Sequence, residues 1–303
     1  MPKISIIIVS FNTSSLLLNC LDALYKAIQF AHLTDKSEVI VVDNASHDGS
    51  SQKVAERFPF VSLIQNKKNA GFAKANNQGI RYAKGEYVLL LNSDTEITKA
   101  ALAHLFTNAK SQENLGAIGA KLLNFDETFQ PSLGFFPHLA KIFFWMSFID
   151  DIPFLSRIVK PYHIESEEFY KNFQEIDWVS GACILVTRAA IQKVGVLDEN
   201  IFMYGEEVEW CYRMKKAHFR ILYTPTALVF HKKGSSGEGK HAGIGEEFSS
   251  LEYFYSKHKS GWERHILKIL LIGGALLRII VFGIIMRNSK KATVYAKAIQ
   301  LVR

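Results

Sequence analysis

The chain has 303 residues, 48% of them hydrophobic, and its 36 basic against 29 acidic side chains leave a net charge of +7. That length and apolar content fit one large α/β domain with an appendage, or two ordinary domains, and exclude a disordered chain. The positive balance suits an anionic membrane surface, phosphorylated substrates or nucleic acid, while three scattered cysteines, Cys20, Cys183 and Cys211, show no metal-ligand spacing and exclude a disulfide framework.

Met1-Pro2-Lys3 runs directly into Ile4-Ser5-Ile6-Ile7-Ile8-Val9, with none of the layout of a signal peptide, so the catalytic part is expected to face the cytoplasm. Through residue 98, short β-branched runs alternate with helical patterns, the signature of parallel strands joined by helical crossovers. Strands are predicted over 4–10, 38–42, 61–65 and 87–92, with helices near 15–30, 50–58 and 70–84. Near-continuous Ile, Val and Leu in the first, second and fourth strands predict a sheet covered by helices on both faces.

From residue 100 the pattern is mixed, with a helix near 99–111, a strand near 116–123 and an aromatic stretch over 135–148. A strand follows over 178–186, then helices over 188–194 and 206–217 and a strand over 227–231. Residues 234–245 hold five glycines among serines and charges, the composition of a flexible loop or lid.

The segment 269–286 is apolar apart from Arg278 and sits at the lower limit of length for a membrane span. Arg264, Lys268 and Arg278 share one side of a helical wheel, which favours a helix lying in the membrane interface. A span, with Arg278 near mid-bilayer, and a helix packed in the core or between copies of the chain are the alternatives. Basic residues flank both ends and leave the orientation open.

In open parallel sheets ligands sit beyond the carboxyl ends of the strands, where Ser10, Asn12, Asp43, Asn44 and Asp94 fall. Asp43 offers an acceptor for a base N–H or a ribose hydroxyl, or else closes an Asx-turn in Asp43-Asn44-Ala45-Ser46. Asn92-Ser93-Asp94 closes an apolar run; Asp94 is an oxygen ligand for a divalent cation bridging two phosphates, or a cap for a turn starting at Thr95-Glu96. Glu206-Glu207-Val208-Glu209 opens a helix, either as charge complementing its dipole or with one carboxylate placed as a general base. His231 ends a second apolar run, as a strand-end histidine or a site residue beside the glycine-rich stretch.

In order along the chain stand Val9-Ser10-Phe11-Asn12, Val42-Asp43-Asn44-Ala45-Ser46-His47-Asp48-Gly49, Asn69-Ala70-Gly71-Phe72-Ala73 through Asn76-Asn77-Gln78-Gly79, and Leu91-Asn92-Ser93-Asp94. They continue with Val179-Ser180-Gly181-Ala182, Gly195 through Leu197-Asp198-Glu199, Phe202-Met203-Tyr204-Gly205-Glu206-Glu207 and His231 through Ser235. This ordered set resembles the inverting family 2 glycosyltransferases of the GT-A fold, especially the bacterial rhamnosyltransferase-like branch. The resemblance implies an α/β, Rossmann-like mixed sheet in a catalytic domain over 1–245, with a nucleotide-binding half over 1–98 and an acceptor half over 99–245. A membrane-associated helical tail would occupy 246–303.

Carried over residue by residue, the resemblance puts Asp43 on the nucleotide, within a donor site of Ser10, Phe11, Asn12, Asn44, Gly71, Phe72, Asn76, Asn92 and Ser93. Asp94 would bind a divalent metal, Mn2+ or Mg2+, with His231 as a further ligand. Glu207, or its neighbour Glu206, would be the catalytic base, and Trp178, Gly181 and Ala182 would line the donor-sugar or acceptor pocket. Two departures stand out: Asn92 where many relatives carry aspartate, and glutamate at the base position where aspartate is usual. The implied substrates are a dTDP- or UDP-linked sugar and a saccharide or polyprenyl-linked acceptor for cell-surface polysaccharide, handled at the cytoplasmic side of the membrane.

A sugar nucleotidyltransferase would show a lysine-containing glycine-rich loop after the first strand, which Phe11-Asn12-Thr13-Ser14-Ser15 lacks. A non-catalytic sugar-nucleotide-binding scaffold is disfavoured by acidic residues at both sites. Nucleic-acid binding ranks last, since much of the basic excess lies in the tail.

Overall fold

A computed structural model of the chain describes residues 2–150, 152, 160–232, 234 and 243–302. The amino-terminal half alternates β1 (Ile4–Ser10), α1 (Ser14–Phe30), β2 (Ser37–Asp43), α2 (Ser50–Arg57), β3 (Val61–Gln65), α3 (Phe72–Tyr82) and β4 (Tyr87–Asn92). Then come β5 (Thr95–Ile97), α4 (Ala101–Lys110), β6 (Leu115–Leu123), β7 (Phe129–Gln130), β8 (Leu133–Gly134) and α5 (Leu139–Met146). The order continues with β9 (Gln174–Glu175), β10 (Trp178–Val179), β11 (Cys183–Thr187), α6 (Arg188–Val194), α7 (Glu206–Lys216) and β12 (Arg220–His231). Helices α8 (Gly243–His258), α9 (Gly261–Ile280) and α10 (Ser289–Leu301) close the chain, with a π-helical turn over Val281–Ile285 prolonging α9.

The main sheet has the order β3-β2-β1-β4-β11-β6-β12-β5. The first four strands are parallel, β11 runs antiparallel to both neighbours, and β12 is parallel to β6 and antiparallel to β5. The period of two in β1 sorts its side chains onto two faces. Ile4, Ile6 and Ile8 meet Leu17, Leu21 and Leu24 of α1 and Leu102 and Leu105 of α4 on one side. Ile7 faces the other core, shared by α3, α7 and the carboxyl-terminal helices. The expected mixed sheet with helices on both faces is therefore what the chain builds.

Three stretches differ from the sequence expectation. Strand β12 begins at Arg220, seven residues before the predicted start, because Pro225 lies inside a register shift between Thr224 and Leu228 that relieves it of a ladder hydrogen bond. The predicted strand over 178–186 is divided: β10 pairs with β8, β11 enters the main sheet, and residues 180–182 turn between them. The third is the tail. Phe248, Leu251, Phe254 and Tyr255 of α8, and Leu267, Leu271 and Ala275 of α9, are buried in the same core as Ile7 and Trp210.

Arg278 does not reach bilayer or water. It is buried, donates to the Trp145 carbonyl and the Tyr295 hydroxyl, and lies 4.2 Å over the Phe148 ring. Lys268, on the same side of α9, reaches Glu252 at 3.5 Å. The basic side of the wheel thus turns onto the protein, where polar and aromatic partners offset the cost of taking charge out of water. What α9 leaves exposed is its apolar side. Of the glycine-rich stretch, residues 235–242 lie outside the described residues, and 243–245 form the start of α8.

Candidate active site

The carboxyl ends of β1, β2 and β4 bring the predicted donor residues together, with Ser10 in register with Asp43 and Val9 with Asn92. A chain of hydroxyls crosses the strand ends: Ser10 Oγ lies 3.0 Å from Thr13 Oγ1, which lies 2.9 Å from Ser93 Oγ. Asn12, at φ 53°, turns the chain so that its Oδ1 accepts from the His47 amide at 2.8 Å and its own amide donates to Ser46 Oγ at 2.9 Å. Phe11 beside it is half-buried. Asp43 takes the Ser46 amide, three residues on, at 3.0 Å and the Ser51 hydroxyl, so its carboxylate holds the turn that follows β2.

Asn44 is buried and clamps the 66–71 loop: Oδ1 accepts from Asn66 Nδ2 and the Ala70 amide, and Nδ2 donates to Asn69 Oδ1 at 2.7 Å. That loop delivers Gly71, whose φ of 85° and position matter together, since a Cβ there would lie 2.6 Å from the Phe202 ring. The next amide, Phe72, donates to the Phe202 carbonyl at 2.9 Å, which ties the donor half to the turn before α7. Asn76 is buried and donates to the Phe72 carbonyl at 3.0 Å, capping nothing outside its own helix.

Asp94 is 3% exposed, and its Oδ1 has no hydrogen-bond partner. Residues Thr95–Ile97 form β5, so the helix-cap reading of Asp94 does not apply. His231 Nε2 lies 3.3 Å from Asp94 Oδ1 and 3.5 Å from Asn92 Nδ2. Gln130 sets the ring. Its Nε2 donates to Asn124 Oδ1 and the His231 carbonyl, so its Oε1 faces His231 Nδ1 at 2.7 Å and accepts from it. With the proton on Nδ1, Nε2 presents a lone pair beside a carboxylate oxygen, an arrangement that a cation between them would suit. Asn92 Oδ1 is buried and unpartnered beside them. A carboxylate and an imidazole are suitable donors for manganese or magnesium, with phosphate and water oxygens completing the shell. Among the described residues, no group of three or more His, Cys, Asp or Glu side chains stands ready to hold a metal by itself.

Glu206 and Glu207 open α7 after two successive left-handed residues, Tyr204 at φ 64° and Gly205 at φ 96°. The left-handed tyrosine costs on the order of 1–2 kcal/mol. Its ring is held against Gly243 of α8, where a Cβ would approach within 3.3 Å. Glu207 is half-buried, its Oε2 accepting the Gly205 amide at 3.1 Å and its Oε1 facing the Gly181 amide at 3.5 Å. The divided strand serves this contact: Gly181 lies beside the Phe72 ring and Glu207, and the Ala182 carbonyl accepts from the Asn92 amide at 3.0 Å. Trp178 is buried with its indole against Gly134 and donates to the Phe135 carbonyl at 3.3 Å.

Burial raises the Glu207 carboxyl above its ordinary value of 4.5. Burial, then the charge of Glu207, pushes Glu206 well above that value, and its Oε2 has no partner. Glu206 therefore holds the proton of the pair, while Glu207 carries the backbone hydrogen bonds that stabilise a carboxylate. Because folding raises the Glu206 value, the folded chain keeps a proton that the unfolded chain releases, so stability falls as pH rises above about 4.5 towards the raised value. Glu206→Gln is expected to flatten that fall. Melting curves across this range check it; an unchanged slope in the variant would show that Glu206 is ionised in the fold.

The other acidic residue of this helix, Glu209, has a structural setting. It is fully buried and paired with Arg213, Lys257 and His258, which lock α8 onto α7. Gln130, Thr13, His163 and Glu247 gave no signal in the sequence. Gln130 lies in the mixed middle region, and its link to His231 spans 101 positions.

Comparison with known proteins follows the same lines. A family model described as glycosyl transferase family 2 matches residues 5–195. The N-acetylglucosaminyl-diphospho-decaprenol L-rhamnosyltransferase of Mycobacterium tuberculosis is 30% identical over 252 residues, covering 79% of this chain and 81% of that protein. The low-salt glycan biosynthesis hexosyltransferase Agl10 of Haloferax volcanii is 24% identical, covering 92% and 85%. Among solved structures, the mannosyltransferase PcManGT from Pyrobaculum calidifontis, in complex with GDP-Man and Mn2+, superposes with a TM-score of 0.59 at 16% identity. That superposition covers 99% of this chain and 86% of that one.

Proposed function

The chain belongs to glycosyl transferase family 2, and from that premise we propose that it moves a sugar, with inversion, from a dTDP- or UDP-linked donor to a lipid-linked saccharide. The observation that carries this reading is the presence of two polar centres, one at the carboxyl end of β4 and one at the start of α7. Asp94, unpartnered and facing His231, stands at one; Glu207, aimed by two backbone amides, stands at the other. The similarity to a rhamnosyltransferase that acts on a diphospho-decaprenol supports rhamnose as the sugar and a polyprenyl carrier as the acceptor.

Held by Asp94 and His231, a divalent cation would neutralise charge on the departing diphosphate. The nucleotide is received at the ends of β1 and β4, over the Asn12 turn and the buried Ser10–Thr13–Ser93 hydroxyl chain that joins these strand ends. Glu207 takes the proton of the acceptor hydroxyl as its oxygen bonds to the anomeric carbon, and the bond from that carbon to the diphosphate oxygen breaks on the opposite face. Calorimetric titration with dTDP and UDP, with and without manganese, tests the donor site. Binding of one nucleotide, strengthened by manganese, is the expected result; binding of neither would turn the chain into a degenerate scaffold.

The same reading places the enzyme on a membrane surface. Gly261–Ile285 is long and apolar enough to cross a membrane, but it packs along α5, α8 and α10, which supports a helix lying in the interface. Ile269, Leu276, Ile280, Ile284, Ile285 and Met286 are each at least half exposed. Lys259, Arg287, Lys290 and Lys291 flank this surface, complementary to anionic lipid headgroups. Replacing Ile269, Ile284 and Ile285 together by serine removes about 1.5–3 kcal/mol per buried side chain. Partition onto anionic vesicles is expected to fall at least about 10²-fold with nucleotide binding retained. Unchanged sedimentation with vesicles would defeat the membrane reading.

A further inference from the structure

His163 and Glu247 lie outside the machinery assigned so far, yet they are set into the wall that carries Glu207. Their side chains meet at 2.6 Å, Nε2 to Oε1, and stay 30% and 16% exposed. Glu247 sits early in α8, the helix whose first residues rest on the Tyr204 ring. Tyr204, whose ring the start of α8 meets, directly precedes Gly205 and the Glu206-Glu207 start of α7, and besides burial Glu247 is among the charges that raise the values of Glu207, Tyr162 and Tyr204.

The imidazole is walled by rings, with centroids of Tyr162 at 4.3 Å, Trp145 at 5.5 Å and Trp178 at 5.5 Å. Tyr162 and Trp178 are buried and fix the plane of His163, whereas Trp145 is half-buried. With Glu247 Oε1 and His163 Nε2 engaged with each other, the partly exposed carboxylate keeps lone pairs for sugar hydroxyls, and His163 Nδ1 is a further polar atom beside it. Trp145 also reaches the other way. Its carbonyl accepts from Arg278, and its helix α5 packs on α9. One wall of the imidazole thus also touches the helix that exposes the apolar face.

We propose that His163 and Glu247 form an acceptor-sugar subsite, hydrogen-bonding the hydroxyls of a lipid-carried saccharide so that its free hydroxyl is presented to Glu207. The subsite rests on the glycosyltransferase reading and gives Trp178 a supporting place behind the imidazole. It also explains why α8 follows β12 back across the site: the helix brings Glu247 to a loop that begins some eighty residues earlier.

The test compares wild type with Glu247→Gln, which keeps the shape, and His163→Phe, which keeps the ring packing but removes both nitrogens. The probes are dTDP-rhamnose with manganese as donor, or a UDP-sugar if UDP is the tighter nucleotide, and detergent-dispersed diphospho-polyprenols bearing N-acetylhexosamine or hexose. Each variant is expected to raise the acceptor KM at least tenfold, while donor Kd and acceptor-independent donor hydrolysis stay within about twofold of wild type. An unchanged acceptor KM in both variants, or donor affinity that weakens in parallel, overturns the subsite. A wild type that binds donor but transfers to none of the saccharide carriers overturns it as well. Failure of the wild type to bind any nucleotide breaks the glycosyltransferase reading instead, so the two failures are distinct.

Discussion

Asp94→Ala is expected to abolish manganese-dependent nucleotide binding and to lower transfer by on the order of 10³-fold or more, at little cost in stability. The asymmetry follows from the site. Asp94 Oδ1 is buried without a hydrogen-bond donor, so the fold gains nothing from it, and its removal leaves no orphaned donor behind. Its neighbour His231 keeps the Gln130 contact that orients the ring. The result is read by calorimetry with dTDP and UDP and by thermal melting. A variant that melts normally and still binds nucleotide with manganese as the wild type does would take Asp94 out of the diphosphate site.

Glu207→Gln is expected to reduce kcat by about 10²- to 10⁴-fold with donor affinity unchanged, the magnitude of a lost general base. Glutamine keeps an oxygen for the Gly205 amide, so the turn before α7 should hold. The wild-type rate is expected to rise with pH through the raised value of Glu207, because only the ionised carboxylate accepts the proton; that acid limb should vanish in the variant. Glu206→Gln should leave the limb in place, as Glu206 already holds its proton under the same conditions. Full turnover by a folded Glu207→Gln protein would remove the residue from the base role.

The two centres were unequally legible. Asn92-Ser93-Asp94 could be found because a polar triplet ends a strand whose apolar run is continuous, and strand ends are where parallel sheets expose ligands. The choice between Glu206 and Glu207 could not be made from adjacent identical residues at a helix start. What distinguishes them in the fold, and supports Glu207 in the proposed role, is that Glu207 meets the Gly205 and Gly181 amides while Glu206 is left to burial. Likewise, Pro225 hid the first half of β12, since only pairing with β6 shows that a bulge absorbs it.

By itself the sequence determined the parallel half of the sheet, the order of the polar clusters and the family, because each rests on local patterning. Periodicity of two or 3.6 residues records which side of an element meets the core, and every such decision is made within a few positions. Tertiary structure decided whatever depends on a distant partner: Gln130 on His231 across 101 positions, Asn77 on Leu197 across 120, Arg278 on Trp145 across 133. The last of these shows the physical reason most directly. A lone arginine in an apolar helix is compatible with lipid, interface or core, and only the carbonyl, hydroxyl and rings that meet it settle which side of the helix is left to face outward.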